Sequence, residues 1–303
     1  MTGIDGRFAL AATFLAAHLR RRPLILWTGI WSAMDTPFHR LVSPLTRYIY
    51  RRANAIVTYG EHVKRYLIDL GVAKEKIFIA PHAVDNQQYA SPVPADEIQA
   101  LREKLGLSST DRVVLYLGRL EEIKGLTYLL EAFCRVATAE AVLVLAGDGS
   151  ERQTLQRLSV ELGIEDRVRF SGYVPPENTL PYYSMAHALV LPSITTRYGK
   201  ELWGLVVNEA MNQGVPIIAS DAVGAVAGGL VRNGENGFVV PQRNPRALAH
   251  AIQMILDSAD LRKGMSCQAL QIIGEWDNEQ MVGGFRHAVD YVMHKDDPLL
   301  TSP

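Results

Sequence analysis

Glu201 and Glu209 stand eight residues apart in GKELWGLVVNEAMNQGVPIIASD, residues 199–221, a stretch that is otherwise largely apolar. Carboxylates in such surroundings need a reason, because they accept hydrogen bonds and carry charge. On one helix the pair would lie about 80° apart in projection and roughly 12 Å apart in rise, too far to share a proton. Gly204 reads instead as a helix start and Gly214 as the stop, with Pro216 opening the next strand. Glu201 then belongs to the loop before the helix and Glu209 to its second turn. The N–H groups of Gly204, Leu205 and Val206 are left at the positive helix end, a place suited to phosphate. Carboxylates flanking a phosphate site fit recognition of hydroxyls, since each anion accepts from a diol, and a sugar nucleotide offers both groups. The plainer alternative is a first-turn acid at Glu201 complementing the helix dipole and an exposed helical residue at Glu209.

A second stretch supplies cations. In LYLGRLEEIKGLTYLLEAF, residues 115–133, an apolar strand runs into Gly118-Arg119 and a loop carrying Lys124-Gly125 before a helix. Gly118 allows close backbone approach, and Arg119 and Lys124 can both reach a diphosphate from a strand end, where ligands of open α/β sheets gather. An ordinary strand-turn-helix connection with solvated cations would look the same; the glutamate segment is what favours the ligand-binding reading.

The elements that must position these residues are legible from patterning. Short apolar runs at 23–27, 55–59, 76–80, 112–118, 141–147, 167–172, 188–193 and 215–220 alternate with helix-length segments such as 125–138, 150–162 and 205–213. Strands apolar on both faces and separated by helices predict parallel sheets, hence an α/β fold class. A polar stretch with Pro92 and Pro94, residues 86–112, lacks a strand pattern and reads as the linker between a short first domain, 1–90, and a complete second one, 91–275. A segment with its tail, 276–303, follows. GDGSER at 147–152 has Arg152 where a dinucleotide fingerprint needs its third glycine, so it predicts a strand-to-helix turn capped by Asp148 or Ser150.

Composition bounds the function. The 303 residues are 48% hydrophobic and 21% charged, as in a globular chain. The apolar run Phe8–Leu19 is shorter than the roughly 20 residues that span a bilayer. Cys134 and Cys267 form no C-x-x-C pair, so neither a disulfide framework nor a zinc cluster is indicated, and a cytoplasmic location is expected. The net charge of −1 hides twelve Lys and Arg against six Asp and Glu in residues 1–90. That basic half, with Trp27, Trp31, Phe38, Tyr48 and Tyr50, permits contact with anionic lipid at the inner face of a membrane; solvated helix faces are the plainer reading. No nucleic-acid motif is present.

At these motifs the sequence resembles the retaining glycosyltransferases of family 4, also called glycosyl transferases group 1. The matching stretches are IVTYGEHVKRYLIDLGVAKEKIFIAPHAVD, VLYLGRLEEIKG, LVLAGDGSE, VRFSGYVP and ELWGLVVNEAMNQGVPIIASDAVGAVAGGLVRNGENGFVVP. The resemblance implies a GT-B fold of two Rossmann-like domains with parallel sheets, an acceptor-side domain first and a nucleotide-sugar donor domain second. It implies that the C-terminal segment returns to the first domain. The implied reaction moves a sugar from a nucleoside-diphosphate sugar to a hydroxyl acceptor, saccharide or lipid-linked, in polysaccharide or glycoconjugate synthesis. Arg119 and Lys124 would hold the diphosphate, Glu201 would face the donor sugar, Glu209 would bind the ribose hydroxyls, amides at Gly204 and Leu205 would meet phosphate, and Val174 would lie near the base. No cofactor is implied, and no D-x-D triplet is present to hold a metal ion.

Relatives usually begin with a strand and a glycine-rich loop on the acceptor side, followed by several more βα units, ahead of the point where this sequence starts, so the first domain is expected to be incomplete. A binding subunit whose acceptor half comes from a separate chain is therefore the alternative to an enzyme; an epimerase or phosphorylase on the same fold is a third. Leu202 replaces a frequent proline; His82 could touch donor or acceptor, with a structural role in its turn as the plainer reading, and Asp35 with two tryptophans could equally line the acceptor side or belong to a packed apolar loop.

Overall fold

The structure, a computed structural model, describes residues 8–294; the tail at 295–303 lies outside the described residues. They form two compact units. One comprises the chain up to Ala83 with Arg197–Trp203 and the stretch from Trp276; the other comprises Val84–Thr196 and Gly204–Glu275.

The first unit holds α1 (Ala9–Leu19), β1 (Ile25–Thr28), α2 (Pro37–Arg52), β2 (Ala55–Thr58), α3 (Glu61–Asp69) and β3 (Ile77–Ile79). The strands form a parallel sheet in the order β1-β2-β3. Every residue of β2 is buried, as a central strand covered on both faces must be. One face packs Leu26, Ile56 and Ile77 against Ile49, Tyr50, Val63 and Leu67 of α2 and α3. Thr36 starts α2 by accepting from the His39 amide at 3.3 Å, with Pro37 preset at the first position. Phe38, Leu41, Leu45 and Tyr48 follow the spacing of one helix face, and all four are exposed, Leu41 to 80%. No residue of α1 is buried.

The linker reading of residues 86–112 needs correction. Two helices lie there, α4 (Asn86–Tyr89) and α5 (Ala95–Lys104), and they pack on the helices Val206–Asn212 and Leu180–Ser184 of the second unit. Asp85 caps α4 by accepting from the Gln88 amide at 3.1 Å, and Pro94 precedes α5, so the prolines punctuate helices rather than mark open chain.

After them come β4 (Arg112–Leu117), α6 (Leu126–Phe133), β5 (Ala141–Ala146), α7 (Arg152–Glu161), β6 (Val168–Gly172), α8 (Leu180–Ser184), β7 (Ala186–Leu191), α9 (Val206–Asn212), β8 (Ile217–Ser220), α10 (Gly224–Ala227), β9 (Gly237–Val240), α11 (Pro245–Asp257) and α12 (Ala259–Ile273). The six strands are all parallel in the order β6-β5-β4-β7-β8-β9. The fold class is α/β, as the alternation predicts. The sheet register slips between Val113 and Val114, and His187 Nδ1 accepts the Val113 amide at 3.1 Å there. Burial, with nearby arginines, lowers the His187 pKa to about 4, so the ring is a neutral acceptor. The expected cap of α7 does not form: Asp148 instead accepts from the Gly149 amide at 2.8 Å and pairs with Arg152 at 3.3 Å.

The chain ends in α13 (Asn278–His294), which packs on β2 and β3 in the first unit, covering Ala55, Val57 and Ala80 with Ala288 and Val292. Among the described residues no helix is long and apolar enough to cross a membrane.

Two adjacent glycines of α13 give a paired test. A Cβ at Gly284 would come within 2.7 Å of Ala80 Cα and 2.8 Å of its Cβ and would overlap the Ile79 carbonyl, whereas one at Gly283 meets nothing within 4 Å. Alanine gains about 1 kcal/mol of helix propensity at either site, but backbone overlap at Gly284 costs about 1–3 kcal/mol. Gly283→Ala should raise the unfolding midpoint and Gly284→Ala lower it, read by denaturant titration; equal effects would contradict this seating of α13.

Candidate functional site

The sheet of the second unit reverses its winding between β4 and β7, and the crevice outside their carboxyl ends is where such sheets take ligands. β4 leads into Gly118, Arg119 and a short 3-10 turn ending at Lys124. Gly125 closes the turn with φ +66°, and a Cβ there would overlap the Pro192 carbonyl just beyond β7. Only glycine lets the two chain segments approach so closely. The Ile194 amide donates to Ile123 O at 2.8 Å, and the Thr195 amide donates to Gln242 Oε1 at 2.6 Å, tying both loops to the end of β9. A Cβ at Gly147, after β5, would overlap the Gly118 carbonyl.

Arg119 is exposed and ion-paired to Glu121 at 2.7 Å, while Tyr116 donates its hydroxyl to Arg119 O at 2.6 Å. Lys124 is half-buried on the same loop. One loop therefore carries Gly118, Arg119 and Lys124 to the strand ends. Val174 follows β6, beyond Gly172, at the outer edge of that sheet. The buried Thr195 hydroxyl has no hydrogen-bond partner, a polar atom that nothing in the sequence singled out.

The helix carrying Glu209 starts later than expected. It runs Val206–Asn212 and puts Glu209 in its first turn rather than its second. The Val207 amide donates to Gly204 O at 2.9 Å, so the amides of Gly204, Leu205 and Val206 precede the first intrahelical donor. Glu209 is half-buried, and Tyr183 on α8 donates to its Oε2 at 2.5 Å. Burial raises the Glu209 pKa, opposed by hydrogen bonds from Tyr183 and Tyr89. Neither tyrosine is at a spacing that sequence reasoning could have used.

Glu201 is placed differently from the expected second domain: Arg197–Trp203 packs with the first unit. Three contacts explain it. Trp31 donates its indole N–H to Glu201 O at 3.0 Å, the Asp35 amide donates to Arg197 O at 2.7 Å, and Lys200 sits over the Trp31 ring, 4.3 Å from its centroid. Trp203 is buried among Tyr59, His62, His82 and Trp276. Burial lowers the pKa of His82 to about 4, and His62, also pressed by Arg65, falls to about 4, so both rings are neutral. Asp35 is salt-bridged to Arg40 at 2.6 Å, which holds its carboxyl below the usual range. The first unit also contains a cavity of about 840 Å³, with Leu10, Met34 and Phe38 beside Arg47 and Tyr198 in its lining. Among the described residues no group of three or more His, Cys, Asp or Glu is arranged to hold a metal ion.

Residues 97–271 match the family described as Glycosyl transferases group 1, and residues 5–88 match Glycosyltransferase Family 4. The D-inositol 3-phosphate glycosyltransferase of Acidothermus cellulolyticus is 31% identical over 254 residues, which is 78% of this chain and 54% of that protein. The alpha-D-kanosaminyltransferase of Streptomyces kanamyceticus is 29% identical over 238 residues, 76% of this chain and 59% of that one. The chain thus spans little more than half the length of these relatives. Among solved structures, Anabaena HepE in complex with UDP and glucose superposes with a TM-score of 0.81 at 23% identity, covering 94% of this chain and 76% of that chain. WaaG, involved in lipopolysaccharide biosynthesis, gives 0.68 at 16% identity, covering 96% and 85%. These likenesses show a common GT-B fold.

The raised pKa of Glu209 has a measurable sign. Folding favours its protonated form, so the buried carboxyl contributes stability below its unfolded value near 4.5 and loses it as pH rises through the folded value. Glu209→Gln removes that titration. Its melting temperature relative to the native chain should rise between acid and neutral pH; a relative fall would mean that the site stabilises the anion.

Proposed function

Because the chain belongs to the glycosyl transferases group 1 family, we propose that it moves a sugar from a nucleoside-diphosphate sugar to a hydroxyl acceptor with retention of anomeric configuration. The observation that carries this reading is the seating of the Gly118–Gly125 loop on the end of β7, which brings Arg119 and Lys124 to the winding reversal of the six-stranded sheet. Arg119 and Lys124 hold the diphosphate and offset the charge that grows on it as its bond to the anomeric carbon breaks. Gly118 leaves room for that approach. The amides of Gly204, Leu205 and Val206 add donors to phosphate, Glu209 accepts from the ribose hydroxyls, and Val174 lies by the base. Glu201 is assigned to the donor sugar. The acceptor oxygen bonds to the anomeric carbon on the face the diphosphate leaves, and its proton passes to the departing diphosphate. With the positive charge supplied by side chains and amides, this reaction requires no metal ion.

HepE was crystallised with UDP and glucose, which makes UDP the first nucleotide to try here. Thermal unfolding is followed with UDP, GDP and ADP and their sugar conjugates. A nucleotide at about 100 times its Kd adds roughly 2.7 kcal/mol, a visible rise in midpoint that Arg119→Ala and Glu209→Ala should abolish. A folded chain indifferent to all three nucleotides overturns the donor-site reading. The anomeric configuration of the product tests retention.

A second reading is a nucleotide-sugar-binding chain that relies on another polypeptide for its acceptor half. It is favoured by the three-stranded first sheet, where β1 is an edge strand and α1 buries no residue. Binding of UDP-sugar without transfer to any acceptor supports it; turnover by the chain alone excludes it.

For the acceptor side we propose a hydroxyl presented at an anionic membrane surface. From Phe8 to Arg52 the one carboxylate is Asp35, already paired with Arg40, while Arg20, Arg21, Arg22, Arg47, Arg51 and Arg52 accompany the exposed Phe38–Tyr48 stripe of α2. Each cation near an anionic surface contributes about 1 kcal/mol. Co-sedimentation should show binding to vesicles containing phosphatidylglycerol and none to phosphatidylcholine alone. Leu41→Asp with Leu45→Asp should weaken it at least about tenfold without changing the response to UDP. Equal binding to both vesicle types, or none, rejects the membrane partner.

A further inference from the structure

Three short helices meet at one carboxylate. Tyr183 of α8 donates to Glu209 Oε2 at 2.5 Å, and Tyr89, the last residue of α4, places its phenol beside the same carboxylate, where it opposes the rise of the Glu209 pKa. Tyr183 is fully buried and Tyr89 half-buried. The helix that carries Glu209 itself holds both phenol-bearing helices. Asn212 Nδ2 donates to Asn86 Oδ1 at 2.9 Å, Gln213 Nε2 donates to Ser91 O at 3.0 Å and also to Tyr89 O, and Ser184 Oγ donates to Gln213 Oε1 at 2.7 Å. Asn86 Nδ2 in turn donates to Ile273 O at 3.1 Å at the end of α12. These side-chain amide contacts fix the helices that carry the two phenols relative to the helix that carries the carboxylate.

We propose that Tyr183 and Tyr89 are positioning residues that keep Glu209 ionised and aim its remaining lone pairs at a vicinal diol, the ribose of the bound nucleotide. The inference rests on the donor-site reading of Glu209 given above. A carboxylate offers about four acceptor positions; the Tyr183 phenol occupies one, Tyr89 lies beside the group, and positions remain for two hydroxyls. A carboxylate buried without those donors would take up a proton, and the resulting acid would present a donor where the diol needs an acceptor. The two tyrosines and burial are the influences that set the Glu209 charge among the described residues, with no cation contributing. Burial also raises the hydroxyl pKa of Tyr183, and the Glu209 charge adds to it, so that phenol stays a donor.

The test uses the full chain and calorimetric titration with UDP and with 2′,3′-dideoxyuridine diphosphate, which lacks the diol but carries the same phosphates, from about pH 5 to about pH 8. The native chain should prefer UDP, and the preference should fade as Glu209 is protonated. In Tyr183→Phe and Tyr89→Phe the preference should drop about tenfold at neutral pH. The midpoint of its acid loss should also move to higher pH, because removing a donor to the carboxylate raises its pKa further. If Tyr183→Phe does not fold, Tyr89→Phe, at a half-exposed site, carries the same expectation. A merely structural role would weaken both nucleotides equally with no movement of the midpoint, and that outcome, or no change in either variant, overturns the proposal. If the native chain binds none of UDP, GDP or ADP, the donor-site reading itself falls and takes this inference with it; if it binds UDP and the variants behave like the native chain, only this inference falls.

Discussion

A parallel strand covered on both faces has nowhere lateral to put a polar side chain, and most of this molecule follows from that constraint. β5 is buried along its whole length, and β4 along all but its first residue. Polar chemistry is driven to the strand ends, where loops turn into helices. Arg119, Lys124, Val174, Thr195 and the amides before α9 all stand beyond carboxyl ends of strands in one sheet. The close approaches of Gly125 to Pro192 and of Gly147 to Gly118 show how tightly those ends are packed. A larger residue at either place would push neighbouring loops apart rather than merely crowd a side chain.

Buried polar groups are then handled in two ways. In the second unit two of them are given partners: Glu209 receives the Tyr183 phenol with Tyr89 beside it, and His187 accepts the backbone donor that a register slip leaves over. Each solution is local: the phenols oppose the rise in pKa that burial imposes on Glu209, and His187 is held as a neutral imidazole. In the first unit the rings are packed against one another. His62 has neither ring nitrogen hydrogen-bonded, lies edge-on to Trp31 at 5.2 Å and stacks near Trp203, and burial keeps it neutral. Packing of this kind holds Arg197–Trp203 by shape, with the Trp31 indole fixing the backbone of Glu201. The peptide carbonyl, not the carboxylate, is what that tryptophan reads.

How much of this the sequence disclosed depends on the range over which each feature is encoded. Strands whose apolar runs are continuous were legible, as was the Gly118–Gly125 turn, because glycine, proline and β-branched residues act on their own few neighbours. Helix α4 was not, since its four residues are polar or carry no apolar stripe and it is held by contacts of Asn86, Tyr89 and Ser91 with Asn212 and Gln213, more than a hundred residues away; α5 shows only Ile98 and Leu101 at helical spacing, and the prolines ahead of it drew the linker reading. The start of α9 was misjudged by two residues because Gly204 signals a break without saying on which side the helix resumes. Glu201 and Glu209 were picked out together by their spacing and its context, yet they fall in separate packing units: one is held by a tryptophan through its backbone, the other by Tyr183 through its carboxylate. Their eight-residue separation reflects covalent continuity between a loop anchored in one unit and a helix anchored in the other, which a one-helix geometry could not have produced. The two glutamates are written within one short stretch; the side chains that hold each of them are written elsewhere in the chain, where only packing brings them in.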